Sequence, residues 1–301
     1  MAGGRLEVFW SPNSQDKFIT WGSDISLYQV KNTSVRDDIS STHSKKLYYL
    51  MLSCFYILFF ISGFQISNNS RAYQLGSLTD VTFVKCLAWL PVPELEGVIA
   101  IGQMNGRVML TSVLESGETS PLNGKEYASK HNRQCNTLAW SLAEPYVLAA
   151  GFDKHRSEHG LILWDVTKGG SDGNRPLMES ASGDTITSVT WFSHSNTMAA
   201  GVNNKQLRLY DFRGKKVQHN FLPLHLQAQH SSFTCPDGTK HTSSTNTRAV
   251  FSIIQDPFVN HRIASYSDTS VCIWDVRNFE KPVLSLQQNK AISKISWCPT
   301  Q

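Results

Sequence analysis

Short runs in which apolar and polar residues alternate recur along the chain, as in "GRVMLTS", "QLRLYDF" and "SVCIWDV". A period of two puts successive side chains on opposite faces, so each run predicts a half-buried β-strand. Between strands stand "MNG" and "NNK", residue types that tolerate left-handed turns and so predict tight connections. These runs belong to a larger unit. It comprises a short apolar strand ending in Trp, a turn often with Pro, a strand ending in Ala-Gly or similar, and an alternating strand. Copies open at "VFWSPNSQDKFITW", "LAWLPVPELEGVIAIG", "LAWSLAEPYVLAAG", "VTWFSHSNTMAAG" and "SIIQDPFVNHRIASY", and "ISWCPTQ" reads as the opening of another.

Two Trp-Asp pairs, Trp164–Asp165 and Trp274–Asp275, close the third strand of their copies, with Tyr210–Asp211 as a variant. A repeat of roughly 40 to 50 residues marked by that dipeptide is the signature of WD-repeat propellers. Each unit is a four-stranded sheet that cannot bury both faces alone, so units stack around a channel. The expectation is an all-β propeller over residues 1–301, with about five blades plus the start of a sixth, incomplete as a ring. A β-sandwich would not explain Trp recurring at one register. Gly102, Gly106, Gly151 and Gly201 at strand ends read as turn residues.

The repeat also serves as a ruler. The first-strand Trp falls at 10, 89, 140 and 191, then Ile254 takes its place by alignment, then Trp297; the intervals are 79, 51, 51, 63 and 43. Two are long. The first contains an insertion at about 45–65, with 18 uncharged residues from Leu47 to Phe64. As a helix this run would reach about 27 Å, just short of a bilayer core of roughly 30 Å. A span there would separate residues 6–30 from the other strands and leave a few strands with open edges, so topology argues against it. A native insertion, as a buried strand pair or a hairpin, is a second account; the account that fits the run's oddity better is that both long gaps are translated non-coding sequence retained in frame. "FFISG" can be written as a pyrimidine tract with a splice acceptor, and Gly214–Lys215 as a splice donor. The second insertion, about 214–244, lacks periodicity.

Charge narrows the partners. Net charge is +4, from 28 basic and 24 acidic residues without a long basic block, which gives no case for nucleic acid. The six cysteines are scattered with no C-x-x-C pair, so buried free thiols in a reducing compartment are expected. "MAGGRLEVFWSP" has no basic start before an apolar core, and no secretory signal is read there.

Catalytic motifs such as G-x-S-x-G, H-E-x-x-H and a phosphate loop are absent, and no catalytic residue is assigned. Asp153, His155 and His159 are metal ligands by type, with His131 further off. No fourth ligand lies nearby in a fixed register, so no metal and no cofactor are expected. "SKHNRQCNTLAW" could form a phosphate-binding edge, but a solvated outer strand leading into the Trp strand is the simpler account. Asp153, Lys154, His155 and Arg156 interrupt the usual short turn before "LILWDV" with an extended charged loop. Rim loops on rigid scaffolds are where partners dock, so these four residues are the candidate docking loop.

The stretches "KHNRQCNTLAW", "AAGFDKHR", "LILWDV", "NTRAVFSIIQDPFVNHRIASY" and "VCIWDVRNFEKPVLSL" resemble the missing-oocyte (Mios) family. These are WD-repeat subunits of the GATOR assembly that feeds amino-acid status to the TOR growth kinase. The resemblance covers most of 5–35 and 66–300, apart from 214–244. It implies a non-enzymatic scaffold in the activating GATOR subcomplex, with other GATOR subunits as partners. The location it implies is cytoplasm and lysosome surfaces, with only indirect membrane association. Family members continue into a helical solenoid and a zinc-binding RING-like module that this sequence lacks, so a truncated product is the expectation. The alternative is a membrane-tethered WD-repeat adaptor anchored by residues 47–64.

Overall fold

The computed structural model describes residues 6–32, 70–114, 120–168, 175–193, 196–202, 206–212, 215–216, 232–233, 241–243, 250–279 and 281–297. The apolar run 47–64 lies outside the described residues, as does most of 214–244. Among the described residues the regular structure is all strand, apart from one 3-10 turn at Pro93–Leu95. No helix among them is long and apolar enough to cross a membrane.

The chain divides into two compact units. One holds a four-stranded antiparallel meander of β1 (Glu7–Trp10), β2 (Lys17–Trp21), β3 (Ile25–Asn32) and β4 (Ser70–Leu78). Its aromatic residues pair across strands as the alternation predicts. Trp10 meets Phe18, and Phe18 stacks on Tyr28, both at 5.3 Å between ring centroids.

The second unit holds four sheets of the same design. The first is β5 (Val84–Trp89), β6 (Val98–Gln103), β7 (Arg107–Ser112) and β8 (Glu126–Ala128). The next is β9 (Cys135–Trp140), β10 (Val147–Phe152), β11 (His159–Asp165) and β12 (Met178–Ser182). Then come β13 (Ile186–Trp191), β14 (Thr197–Val202) and β15 (Gln206–Asp211). A separate two-stranded pair follows, β16 (Lys215–Lys216) with β17 (Ser232–Phe233). From within the second long interval, β18 (His241–Ser243) adds to β15 as a fourth strand. The last sheet is β19 (Ser252–Gln255), β20 (Arg262–Tyr266), β21 (Ser270–Asp275) and β22 (Leu284–Gln287). Ile292–Trp297, before and into the expected next copy, carry no strand.

The Trp ruler has a physical basis. Trp10, Trp89, Trp140 and Trp191 each end the first strand of their sheet. The Trp140 Nε1 donates to the Ala88 carbonyl at 3.2 Å, and Trp191 Nε1 to the Ala139 carbonyl at 3.1 Å. Each indole thus reaches the residue just before the Trp of the preceding sheet, fixing how far one sheet slides over the next.

Apolar layers fill the spaces between consecutive sheets of this unit. β10 shows the logic: Leu148, Ala150 and Phe152 join the layer toward β5–β8, while Val147 and Ala149 join the layer toward β13–β15. A strand covered on both faces reads as a continuous apolar run, which is why "VLAAGF" looks unlike its alternating neighbours. The glycine expectation needs correcting here. Of the four, Gly106 alone has a left-handed φ (+84°). Gly102, Gly151 and Gly201 sit inside strands, where a Cβ would crowd the next sheet. At Gly151 it would meet Ile186 Cγ2 and Thr137 Cγ2 at 2.6 Å. Close packing, not turn geometry, selects glycine at those three.

Candidate functional site

Two connections at the same end of the β9–β12 sheet build the rim cluster. Residues 129–134 lead from β8 into β9, and residues 153–158 join β10 to β11. The second is six residues long, whereas the matching connections β2–β3, β6–β7 and β20–β21 have three. Its ends are drawn together by an antiparallel bridge between His155 and Glu158. The insertion of three extra residues is what lifts Lys154 and Arg156 into solvent.

Beneath this loop sits a buried ion pair. Arg133, with only 3% of its side chain exposed, meets Glu158, at 6%, with Nη2 at 2.9 Å from Oε2. Its Nη1 donates to the Asp153 carbonyl at 3.1 Å and Nη2 to the His159 carbonyl at 2.7 Å. The guanidinium also lies over the Phe152 ring, 4.7 Å from its centroid. Burial lowers the Arg133 pKa, with Glu158 opposing the shift. The residue is far from the solvated strand expected of "SKHNRQ". It clamps both ends of the 153–158 loop onto the strand below. A paired and hydrogen-bonded charge of this kind is costly to break from one side, about 3–5 kcal/mol.

The other Glu158 oxygen, Oε1, is hydrogen-bonded to Nδ1 of His131. The His131 ring stacks on His155 at 4.2 Å with 17° between planes. His155 is held in turn by Ser157, whose Oγ lies 3.1 Å from Nδ1. His131, His155 and Glu158 each offer a ligand atom, all within 4.8 Å of one another.

The structure places the four expected docking residues differently. Lys154 and Arg156 are exposed. Lys154 is anchored through its backbone, whose N–H donates to Thr185 Oγ1 at 3.0 Å. Asp153 is half-buried and accepts from Asn136 Nδ2 at 2.8 Å, tying the loop to β9. His155 belongs to the histidine stack. The metal-type trio read from sequence does not assemble: His159 opens β11 beside Glu179, at 4.0 Å. Glu158 and Arg133 were missed as site residues. Glu158 closes the overlong loop, but no local signal marked Arg133, which comes from the separate connection before β9.

The WD pairs lie at the ends of β11 and β21, with Trp164 and Trp274 both at 0% exposure. Of the six cysteines, Cys86, Cys135 and Cys272 lie among the described residues and are free thiols. Cys54, Cys235 and Cys298 lie outside them.

A family model described as "MIOS, WD40 repeat" matches residues 63–301. The GATOR2 complex protein MIOS of Danio rerio is 31% identical over 324 residues, covering 100% of this chain and 32% of its own length. The GATOR2 complex protein Mio of Drosophila melanogaster is 27% identical over 301 residues, covering 100% of this chain and 28% of its own. The chain therefore spans about a third of the length of the curated relatives it matches. Among solved structures, Chaetomium thermophilum Sqt1, bound there to the N-terminus of ribosomal protein L10, superimposes with a TM-score of 0.55. It shares 15% identity, and the match covers 94% of this chain and 62% of that one. A chain of the mitotic checkpoint complex gives the same TM-score of 0.55 at 13% identity, covering 94% of this chain and 64% of its own. These two likenesses bear on fold alone, and the fold is that of the WD40 propeller.

Proposed function

The chain belongs to the MIOS WD40-repeat family, and on that premise we propose that it is a non-enzymatic propeller subunit of a GATOR2 assembly. It works in the cytoplasm and at lysosome surfaces, and promotes TOR kinase signalling when amino acids are present. Its contribution is to hold partner proteins, and the 153–158 loop, carrying Asp153, Lys154, His155 and Arg156, is one of the places where it does so.

The observation that carries the docking part is the pairing of an overlong exposed loop with a buried clamp. Lys154 and Arg156 stand in solvent, with Lys130 exposed on the adjoining connection, while Arg133 and Glu158 immobilise the base of the loop. A loop already held in one shape loses little conformational freedom on binding, which favours a docking role over loose decoration. The basic tips suit an acidic partner surface, where charge sets encounter rate and orientation more than final affinity.

Affinity capture of the chain from cells, with quantitative mass spectrometry, tests the assembly. Enrichment of other GATOR2 subunits is expected, and recovery of none overturns the reading. The double variant Lys154→Glu/Arg156→Glu tests the loop. It should lower recovery of at least one subunit severalfold with an unchanged melting midpoint. Undiminished recovery of every subunit removes the loop from the proposal.

A further inference from the structure

We infer that His131, His155 and Glu158 form a three-ligand site for a divalent late-transition ion of the zinc class. The site stands independently of whether a partner docks on the loop.

The donor set decides the class of ion. Two imidazoles and one carboxylate suit zinc, copper or nickel, whereas calcium and magnesium call for a shell of oxygens. Three protein ligands with a fourth position left to water is the arrangement of an open zinc site. The ligand atoms lie within 4.8 Å of one another. Metal–ligand bonds of about 2.0–2.2 Å in a tetrahedron place neighbouring donors roughly 3.3–3.5 Å apart. The widest separation must therefore close by up to roughly 1.5 Å, while the hydrogen-bonded His131–Glu158 pair must open to admit the ion. The part that has to move can do so, because the His131 side chain is 53% exposed and sits on a connection rather than a strand. Ion binding requires the His131 ring to leave its stack with His155, since a metal is bound in the plane of each imidazole ring.

The rest of the cluster is already fixed as a ligand shell requires. Arg133 Nη2 holds Glu158 Oε2 at 2.9 Å, so the carboxylate presents Oε1 toward the histidines. Ser157 sets the His155 ring from the other side through contacts to Nδ1 at 3.1 and 3.4 Å. Outer contacts that orient ligands in this way are half of what makes a metal site. In the ion-bound state the His131–Glu158 hydrogen bond gives way to the metal between them. Arg133 keeps its hold on the second oxygen, so no buried charge is left alone. Sequence distance hid the site, since His131 and Glu158 are 27 positions apart and arrive from different connections.

Titration of the 301-residue chain with Co²⁺, read by its visible absorption, is the test. One equivalent should give the bands of a four- or five-coordinate nitrogen–oxygen site, without thiolate charge-transfer intensity, and Zn²⁺ should displace it. His131→Ala and His155→Ala each remove a ligand from a surface connection and should weaken binding by at least about tenfold. Zn²⁺ should raise the melting midpoint of the parent chain and of neither variant. Each variant's Zn²⁺ response is read against its own metal-free midpoint, which separates lost binding from a change in folding stability. Absence of saturable binding, or binding in both variants as tight as in the parent, overturns the inference.

Discussion

Trp164–Asp165 ends β11 and Trp274–Asp275 ends β21, each with its indole fully buried against the preceding sheet, yet their polar atoms are settled differently. The Trp274 Nε1 donates to Ser265 Oγ at 2.9 Å, whereas the Trp164 Nε1 is buried with no hydrogen-bond partner among the described residues. Strand register explains the difference. Trp274 pairs with Ile263 and Trp164 with Leu148, so Ala150 holds on β10 the place that Ser265 holds on β20. One hydroxyl separates the two. The aspartates diverge as well. Asp165 is buried and takes the Thr167 N–H and hydroxyl at 3.0 and 2.6 Å, closing a local turn. Asp275 lies nearer solvent and is gripped by Arg277, at 2.6 Å from Nη2. The dipeptide therefore supplies a shape, a large apolar plug, while its hydrogen bonding is left to whatever the neighbouring strand provides.

If the plug is the shared function, removing it should hurt both copies alike. Trp164→Ala and Trp274→Ala should each cost about 3–5 kcal/mol in denaturant unfolding followed by circular dichroism. Trp164 also loses its ring contacts with Tyr127 at 5.3 Å and Phe152 at 6.2 Å, and Trp274 its contact with Phe279 at 5.5 Å. A loss under about 1 kcal/mol at either site would mean that the copy does not stabilise its sheet pair.

The next effects test the hydrogen-bond difference. Ser265→Ala should cost about 1–3 kcal/mol, because it strands a buried indole N–H. The reciprocal change, Ala150→Ser, offers Trp164 the partner it lacks and should stabilise by about 0.5–1.5 kcal/mol. A loss from Ala150→Ser would show that added volume, not the hydrogen bond, governs the layer around Trp164.

The same contrast marks how far the chain could be read before folding. Alternation and recurrent Trp identified the strands and the first-strand ends at 10, 89, 140 and 191, because both follow from local side-chain geometry. Ile254 could be placed by alignment alone, and it falls inside β19. Gly151 was legible as glycine but not in its reason, since it makes room for Thr137 on the neighbouring strand and Ile186 on the next sheet. The rim followed the same rule. The overlong loop at 153–158 was visible in sequence. The Arg133–Glu158 clamp and the His131 contact were not, because they depend on two connections that only the sheet brings to one end. Sequence proximity suggested Asp153, His155 and His159 as a ligand set. Strand alternation instead sends His159 toward Glu179, and the hairpin bridge sets Glu158 opposite His155.

The smallest expected effect is electrostatic and separates the half-buried aspartate from the hydrophobic part of its copy. Hydrogen bonds from Arg277 hold the Asp275 carboxyl well below the usual carboxylate range, with burial opposing them. A depressed folded-state pKa means that the unfolded chain binds more protons on the acid side, so this contribution is present above about pH 4 and is lost as pH falls. Asp275→Asn should therefore flatten the acid limb of the stability profile while leaving the Trp274 layer intact. The pair is largely solvated, so high salt should shrink the difference between parent and variant. If the acid limb of Asp275→Asn overlays that of the parent at low salt, the Arg277 contact does not distinguish the two copies, and Ser265 is left as the residue that does.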